Sequence, residues 1–260
     1  MGRDKVSENE RLFRKLLKSQ KMSSKHKKYI ESKREKVQNR IEDKIDESLK
    51  FYYGGSYGRN TMIREYSDMN LVVYYPKNHE KSIKEIHSEV GKVVTRKWRK
   101  AELKILGWEI PYKTNFHIDI IPAKLVNSKI CLAEHYNSDL KEPIEVSLKE
   151  YDENIKQENR TDIIKLIRLW KVRCEVPLPC FLLEKFVTLA TRGSPRTELE
   201  TQLFRSFSYL EDHITTKKIP GAINKGYDFS NRLRAKHKIG VKDALQEVRE
   251  AKDWEDAFNE

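Results

Sequence analysis

Gly54-Gly55-Ser56-Tyr57-Gly58-Arg59-Asn60, followed eleven residues after Ser56 by Ser67-Asp68-Met69-Asn70-Leu71, is the stretch on which the reading of this chain turns. The glycines allow backbone N–H groups to approach an anion closely, and Ser56 sets a hydroxyl beside them. On a strand, side chains alternate, so Asp68, Asn70 and Val72 share one face while Met69, Leu71 and Val73 share the other. Two oxygen-bearing side chains thus project from a strand whose opposite face is apolar. Phe116–Ile121 repeats the pattern, with His117, Asp119 and Ile121 on one face and Phe116, Ile118 and Ile120 on the other. If the two strands are neighbours, Asp119 joins Asp68 and Asn70, and oxygen ligands beside an anion-binding turn suit Mg²⁺. Taken singly, each piece has a plainer reading: a hairpin turn for the glycine run, a cap or turn for Asp-x-Asn.

The flanking sequence predicts the surrounding elements. Leu49–Tyr53 and Leu71–Tyr75 are short aromatic and β-branched runs that read as strands on either side of the glycine turn. Residues 80–104 carry Ile83, Ile86, Val90, Val93 and Val94 near helical spacing, so the first half reads as α+β. From Thr161 the pattern is helical: Ile163, Ile164, Ile167 and Trp170 form one stripe, and Phe181, Leu182, Phe186, Val187, Leu189 and Ala190 follow after a break at Pro177 and Pro179. Further breaks fall at 192–195 and 219–221, and Ala244, Leu245, Val248, Ala251 and Trp254 predict a last helix. We expect two lobes, residues 1–150 and residues 151–260, the second all-helical.

Composition narrows the class. The 260 residues hold 52 Lys+Arg against 40 Asp+Glu, a formal net charge of +12. Between Arg11 and Arg40 stand 12 basic residues and only two acids, Glu31 and Glu35, so +10 of that charge sits in one N-terminal stretch. Apolar residues at three- and four-residue spacings there predict a basic amphipathic helix, broken near Ser23-Ser24. Its charged face suits water, a polyanion such as a nucleoside triphosphate or RNA, or a membrane surface. With 38% hydrophobic residues in periodic blocks, disorder is excluded. No apolar run approaches the ~18–20 residues of a membrane span, and the polar start MGRDKVSENE is unlike a signal peptide, so a cytoplasmic protein is expected. Cys131, Cys174 and Cys180 form neither a disulfide set nor a zinc cluster.

Together, in this order and spacing, the Gly-Ser turn, Asp68-Met69-Asn70 and the later Asp119 resemble the nucleotidyltransferase superfamily of the DNA polymerase β type. The likeness is tighter to the branch of oligoadenylate synthases and bacterial cGAS/DncV-like enzymes. It extends from about residue 25 to the C-terminus and includes Ile163–Lys171, Leu178–Lys185 and Glu250–Phe258. The resemblance implies an α+β, two-lobed fold: a mixed sheet with flanking helices, a C-terminal helical bundle and an active site in the cleft. It implies NTP substrates, release of pyrophosphate, and a cyclic or linear oligonucleotide of second-messenger type, as in anti-phage signalling, read by an effector. Asp68, position 70 and Asp119 would hold two Mg²⁺ or Mn²⁺ ions, which activate a hydroxyl and stabilise the leaving group. Gly55 and Ser56 would hold phosphates. By the same resemblance Arg168 takes the place of a phosphate-contacting lysine, Lys165 and Lys171 lie nearby at i−3 and i+3, and Phe181 takes the place of an aromatic that stacks on the base.

Three departures are visible. Asn70 stands where the family has its second acid, and an amide lacks the charge that offsets two cations. Both an engineered inactive form and a natural pseudoenzyme fit that substitution. Cys180 stands where many relatives have serine, and a thiol is a weak donor to a phosphate. There is no zinc cluster of the animal cyclase kind. Arg168 as a surface charge, Phe181 as plain core, and His117 and His135 as packing residues are the competing readings. A non-catalytic nucleotide or RNA sensor, with RNA on the basic helix, and a tRNA-end nucleotidyltransferase are the rival functions.

Overall fold

A computed structural model describes residues 7–45, 48–113, 115–219, 228, 230 and 233–259. The first six residues of the polar start and the 219–221 break beyond Ile219 lie outside them. The basic stretch is two helices, α1 (Glu8–Ser19) and α2 (Ser24–Lys44), and the expected break is an N-cap, with Ser23 accepting a hydrogen bond from the His26 N–H. Then come β1 (Lys50–Gly54), the short α3 (Gly55–Arg59), β2 (Ser67–Tyr75) and α4 (Ile83–Lys97). β3 (Glu102–Leu103), β4 (Trp108–Pro111), β5 (Phe116–Asn127), β6 (Leu132–Asn137) and β7 (Glu142–Val146) complete the sheet. The second half is α5 (Leu148–Gln157), α6 (Thr161–Arg173), α7 (Cys180–Ala190), α8 (Leu199–His213), α9 (Ala235–Glu250) and α10 (Trp254–Ala257).

The sheet is mixed, in the order β1-β2-β5-β4-β3, with β6 on the far half of β5 and β7 beyond it. β2 and β5 are parallel neighbours; the other pairs are antiparallel. Alternation divides the faces as expected. Met69, Leu71, Val73, Phe116, Ile118 and Ile120 pack under Ile30, Val37 and Ile41 of α2 and Ile86, Val90 and Val94 of α4. Val72, Tyr74, Ile121 and Ala123 form a smaller cluster on the other face, the face that carries Asp68 and Asn70. The helical half has its own core around Trp170, Leu183, Phe186 and Leu203, and α1 docks there through Phe13 and Leu16.

Several local expectations are corrected. The glycine run is a five-residue helix rather than an open turn. The 80–104 helix stops at Lys97, where Trp98 leaves helical geometry, and the chain then turns into β3. The last helix is two: Ala251 is extended, and Asp253 caps α10 by accepting from the Asp256 N–H. β6 and β7 carry no clear periodic signal in the sequence, whereas the spacing of Leu148, Tyr151 and Ile155 in α5 and of Leu199, Leu203, Phe207 and Leu210 in α8 is helical and went unread.

His87 of α4 packs against Trp108 of β4, ring centroids 4.1 Å apart and planes tilted by 37°, and burial lowers its pKa to about 4. The unfolded chain, with a histidine pKa of about 6.5, takes up a proton between pH 6.5 and 4 that the folded protein refuses. Stability from this group is therefore complete above about pH 6.5 and lost as pH falls toward 4. Urea unfolding across that window should show His87→Phe with a shallower loss than the parent, by up to about 1.4 kcal/mol per pH unit.

Candidate active site

β2 and β5 run side by side in a register that pairs Asn70 with Asp119 and Asp68 with His117. β4 continues the row on the other side, pairing Glu109 with Asp119 and Pro111 with His117. Asn70, Asp119 and Glu109 thus stand abreast on three adjacent strands, and their shared face opens toward the helical half. A cavity of about 510 Å³ lies above it, lined by Asn70 and Asp119 from the sheet and by Tyr151, Asp152 and Phe181 from the helices.

The glycine turn closes one side of the site. Gly55 has φ +70°, and a Cβ there would lie 3.1 Å from both the Asn70 amide carbon and its backbone nitrogen, so any other residue would be strained and would press on Asn70. Ser56 is fully buried; its Oγ lies 2.7 Å from Asp68 Oδ1, and its N–H donates to Asp68 Oδ2 at 3.3 Å. In this conformation Ser56 serves Asp68. Arg168, 1% exposed, is no surface charge: Nη2 lies 2.5 Å from Asp68 Oδ1 and Nη1 2.9 Å from Glu184 Oε1. Glu184 also accepts from Arg59 Nε at 2.5 Å and from Thr61 at 3.1 Å, and Arg59 pairs with Asp152. Asp152 in turn accepts from Tyr52 at 2.9 Å and from the Gly55 N–H at 3.1 Å. The result is a chain of buried charges, Asp68–Arg168–Glu184–Arg59–Asp152, that joins β2, α6, α7, α3 and α5.

The two acids of the sheet face differ electrostatically. Burial opposes the charge of Asp68, but Arg168 foremost, then His117, Ser56 and Arg59, hold its carboxyl well below the usual range. Asp119 goes the other way. Burial, then the nearby Glu109 and Asp68, push its carboxyl well above the usual range, and its buried Oδ1 has no hydrogen-bond partner among the described residues. A divalent cation would meet that unpartnered oxygen and offset the repulsion, so the donor set fits such an ion.

The remaining expected residues disperse. Lys165 lines a different cavity of about 420 Å³, with Lys21, Lys27 and Tyr57. Lys171 stands over the Tyr66 ring at 5.9 Å. Their i−3 and i+3 spacing about Arg168 does not gather the three at one anion. Cys180 opens α7, and burial foremost raises its thiol pKa. Phe181 is half-buried, edge-on to Tyr151 with ring centroids 6.1 Å apart, at the cavity wall. Sequence reading missed Arg59, Asp152, Glu184 and Glu109. Glu109 alone had a signal, since Trp108-Glu109-Ile110 alternates apolar and polar as a strand does.

Residues 34–146 of this chain, most of its sheet half, match the family described as nucleotidyltransferase domain. Its whole fold is that of the bacterial CD-NTases, the cGAS/DncV-like branch that the sequence resembles. CdnG of Bradyrhizobium diazoefficiens, solved with GTP, is similar at TM-score 0.74 and 13% identity, covering 95% of this chain and 94% of that one. CdnC of E. coli MS115-1, solved with ATP, is similar at 0.67 and 14%, covering 89% and 91%. The Vibrio cholerae DncV cyclic AMP-GMP synthase, solved with a linear intermediate, is similar at 0.61 and 12%, covering 80% and 66%. No curated protein matches the chain in sequence. Among the described residues no helix is long and apolar enough to cross a membrane.

Arg168→Met should leave Asp68 and Glu184 buried with one cation between them. We expect a loss of about 3–5 kcal/mol in the unfolding free energy, read from urea midpoints. A phosphate-binding arginine on an open surface would cost far less.

Proposed function

We propose that this protein is a metal-dependent nucleotidyltransferase that joins NTPs into a cyclic or linear oligonucleotide with release of pyrophosphate. The observation that carries the reading is the register that sets Asn70 beside Asp119, two residues along from Asp68, on the face beneath the Gly55-Ser56 turn. The solved CD-NTases with GTP, ATP and a linear pppApG intermediate support it. Divalent cations, Mg²⁺ or Mn²⁺, held by Asp68, Asn70 and Asp119 would supply charge neutralisation at the phosphates and activation of the acceptor hydroxyl. The chain's own part is positioning. Gly55 and Ser56 shape the turn toward the phosphates, Phe181 and Tyr151 offer apolar faces to the base, and the cavity limits water around the reacting atoms. Arg168 acts through Asp68, by fixing its carboxylate. A second-messenger product read by an effector, and phosphate or RNA contacts along the basic α1 and α2, belong to the same proposal, as does a cytoplasmic setting.

Asn70 brings no charge to a site built for several, so transfer in this chain is expected to be slow. That same observation favours the second reading, a nucleotide sensor that binds without turnover. Incubation with four labelled NTPs and Mg²⁺ or Mn²⁺ separates the two. We expect Asn70→Asp to raise product formation by about 100–1000-fold, the range attached to groups that stabilise developing charge, and Asp119→Ala in that background to abolish it. NTP binding by calorimetry with no product from either form would establish the sensor instead.

A further inference from the structure

The missing charge at position 70 has a counterpart one strand away. In the row Asn70–Asp119–Glu109, the amide is on one side of Asp119 and a carboxylate on the other. The ligand atoms of Glu109, His117 and Asp119 lie within 4.8 Å of one another. Two further observations point into this group. His117 is only 9% exposed and its side chain makes no hydrogen bond among the described residues; its Nε2 faces Glu109 Oε2 at 3.9 Å. Asp119 Oδ1 is buried and equally without a partner among them. Buried polar atoms without partners are costly, and the Asp119 oxygen left in that state, beside a nearly buried imidazole and a second carboxylate, completes a donor set. Lys104 reaches the other Glu109 oxygen at 3.5 Å, but its side chain is 44% exposed and is free to swing into solvent.

We propose that Glu109, His117 and Asp119 hold a divalent transition-metal ion, and that Glu109 supplies the carboxylate which Asn70 withholds. The proposal rests on the nucleotidyltransferase reading for its purpose and adds the identity of the ligands. One imidazole with two carboxylates favours a first-row transition ion such as Mn²⁺, which takes oxygen ligands and accepts an imidazole nitrogen more readily than Mg²⁺, whose shells are all oxygen. The Tyr66 ring, centroid 5.1 Å from that of His117, holds the imidazole in place.

The test needs no nucleotide. The full chain is titrated with Mn²⁺ and the free ion followed by electron paramagnetic resonance. Glu109→Gln and His117→Gln should each raise the Kd at least about tenfold, the loss attached even to groups that merely support metal ligands. Thermal unfolding without metal verifies that both variants are folded. Spin-echo modulation from a coordinated nitrogen should appear in the parent and vanish in His117→Gln. Adding Asn70→Asp to Glu109→Gln should recover affinity, because a carboxylate returns beside Asp119. Unchanged affinity in Glu109→Gln and His117→Gln, with loss only in Asp68→Asn or Asp119→Asn, would assign the ion to the Asp68–Asn70–Asp119 side and overturn the proposal. Absence of Mn²⁺ binding in every form would overturn it too. In both cases the product assay with NTPs decides nucleotidyl transfer on its own.

Discussion

Five buried charges, Asp68, Arg168, Glu184, Arg59 and Asp152, hold the two halves of this molecule in one arrangement. Each is at most 8% exposed, so none is screened by water, and each is intelligible only through its neighbours. Taking such groups out of water costs several kcal/mol apiece, and their mutual attraction repays this only when the geometry is good. A network of this kind is weak evidence for high stability. Its physical consequence is registry: the helical half has one position at which both arginines find their acids, and that position fixes the cavity above the sheet.

The network also sorts the acids of the sheet face. Asp68 is compensated by Arg168 and Ser56, whereas Asp119 has no cation in hydrogen-bonding reach among the described residues and crowds against Glu109. Negative charge open to a ligand is therefore centred on Asp119 and displaced toward β4, away from Asn70. An amide at position 70 sits comfortably here, since a further carboxylate pressed against the Gly55 backbone would add to the repulsion around Asp119 in the metal-free protein. This charge distribution links the substitution at 70 to the acid at 109, two positions 39 residues apart in sequence and one strand on either side of Asp119.

Much of the sheet and its site is legible in the order of the residues. The alternation in Ser67–Tyr75 and Phe116–Ile121 separates apolar from oxygen-bearing faces correctly, because a strand's period of two is imposed by backbone geometry. The helical stripe Ile163, Ile164, Ile167 and Trp170 is buried throughout, for the corresponding reason at a period of 3.6. The same period misleads at Arg168. Its place off the apolar stripe suggests a surface charge, yet the neighbouring α7 covers it with Glu184. Lys165 and Lys171, which share its spacing, diverge because the facing elements offer them a cavity wall and an aromatic ring where they offer Arg168 two acids. The strands β6 and β7 are hard to read from the residues alone, since their short runs mix polar and apolar side chains and draw their order from pairing, whereas α5 and α8 do carry helical spacing.

What the sequence by itself determined is local: which residues share a face, where caps and glycines end or bend an element, and the spacing that sets Ser56 against Asp68. Pairing across the chain belongs to the tertiary structure alone. No rule of spacing makes β5 the parallel neighbour of β2, brings Glu109 abreast of Asp119, or sets Glu184 between two arginines from different elements. Those juxtapositions arise from burying both faces of one sheet at once, and the charge that a cation would meet is a sum over residues that only the fold assembles.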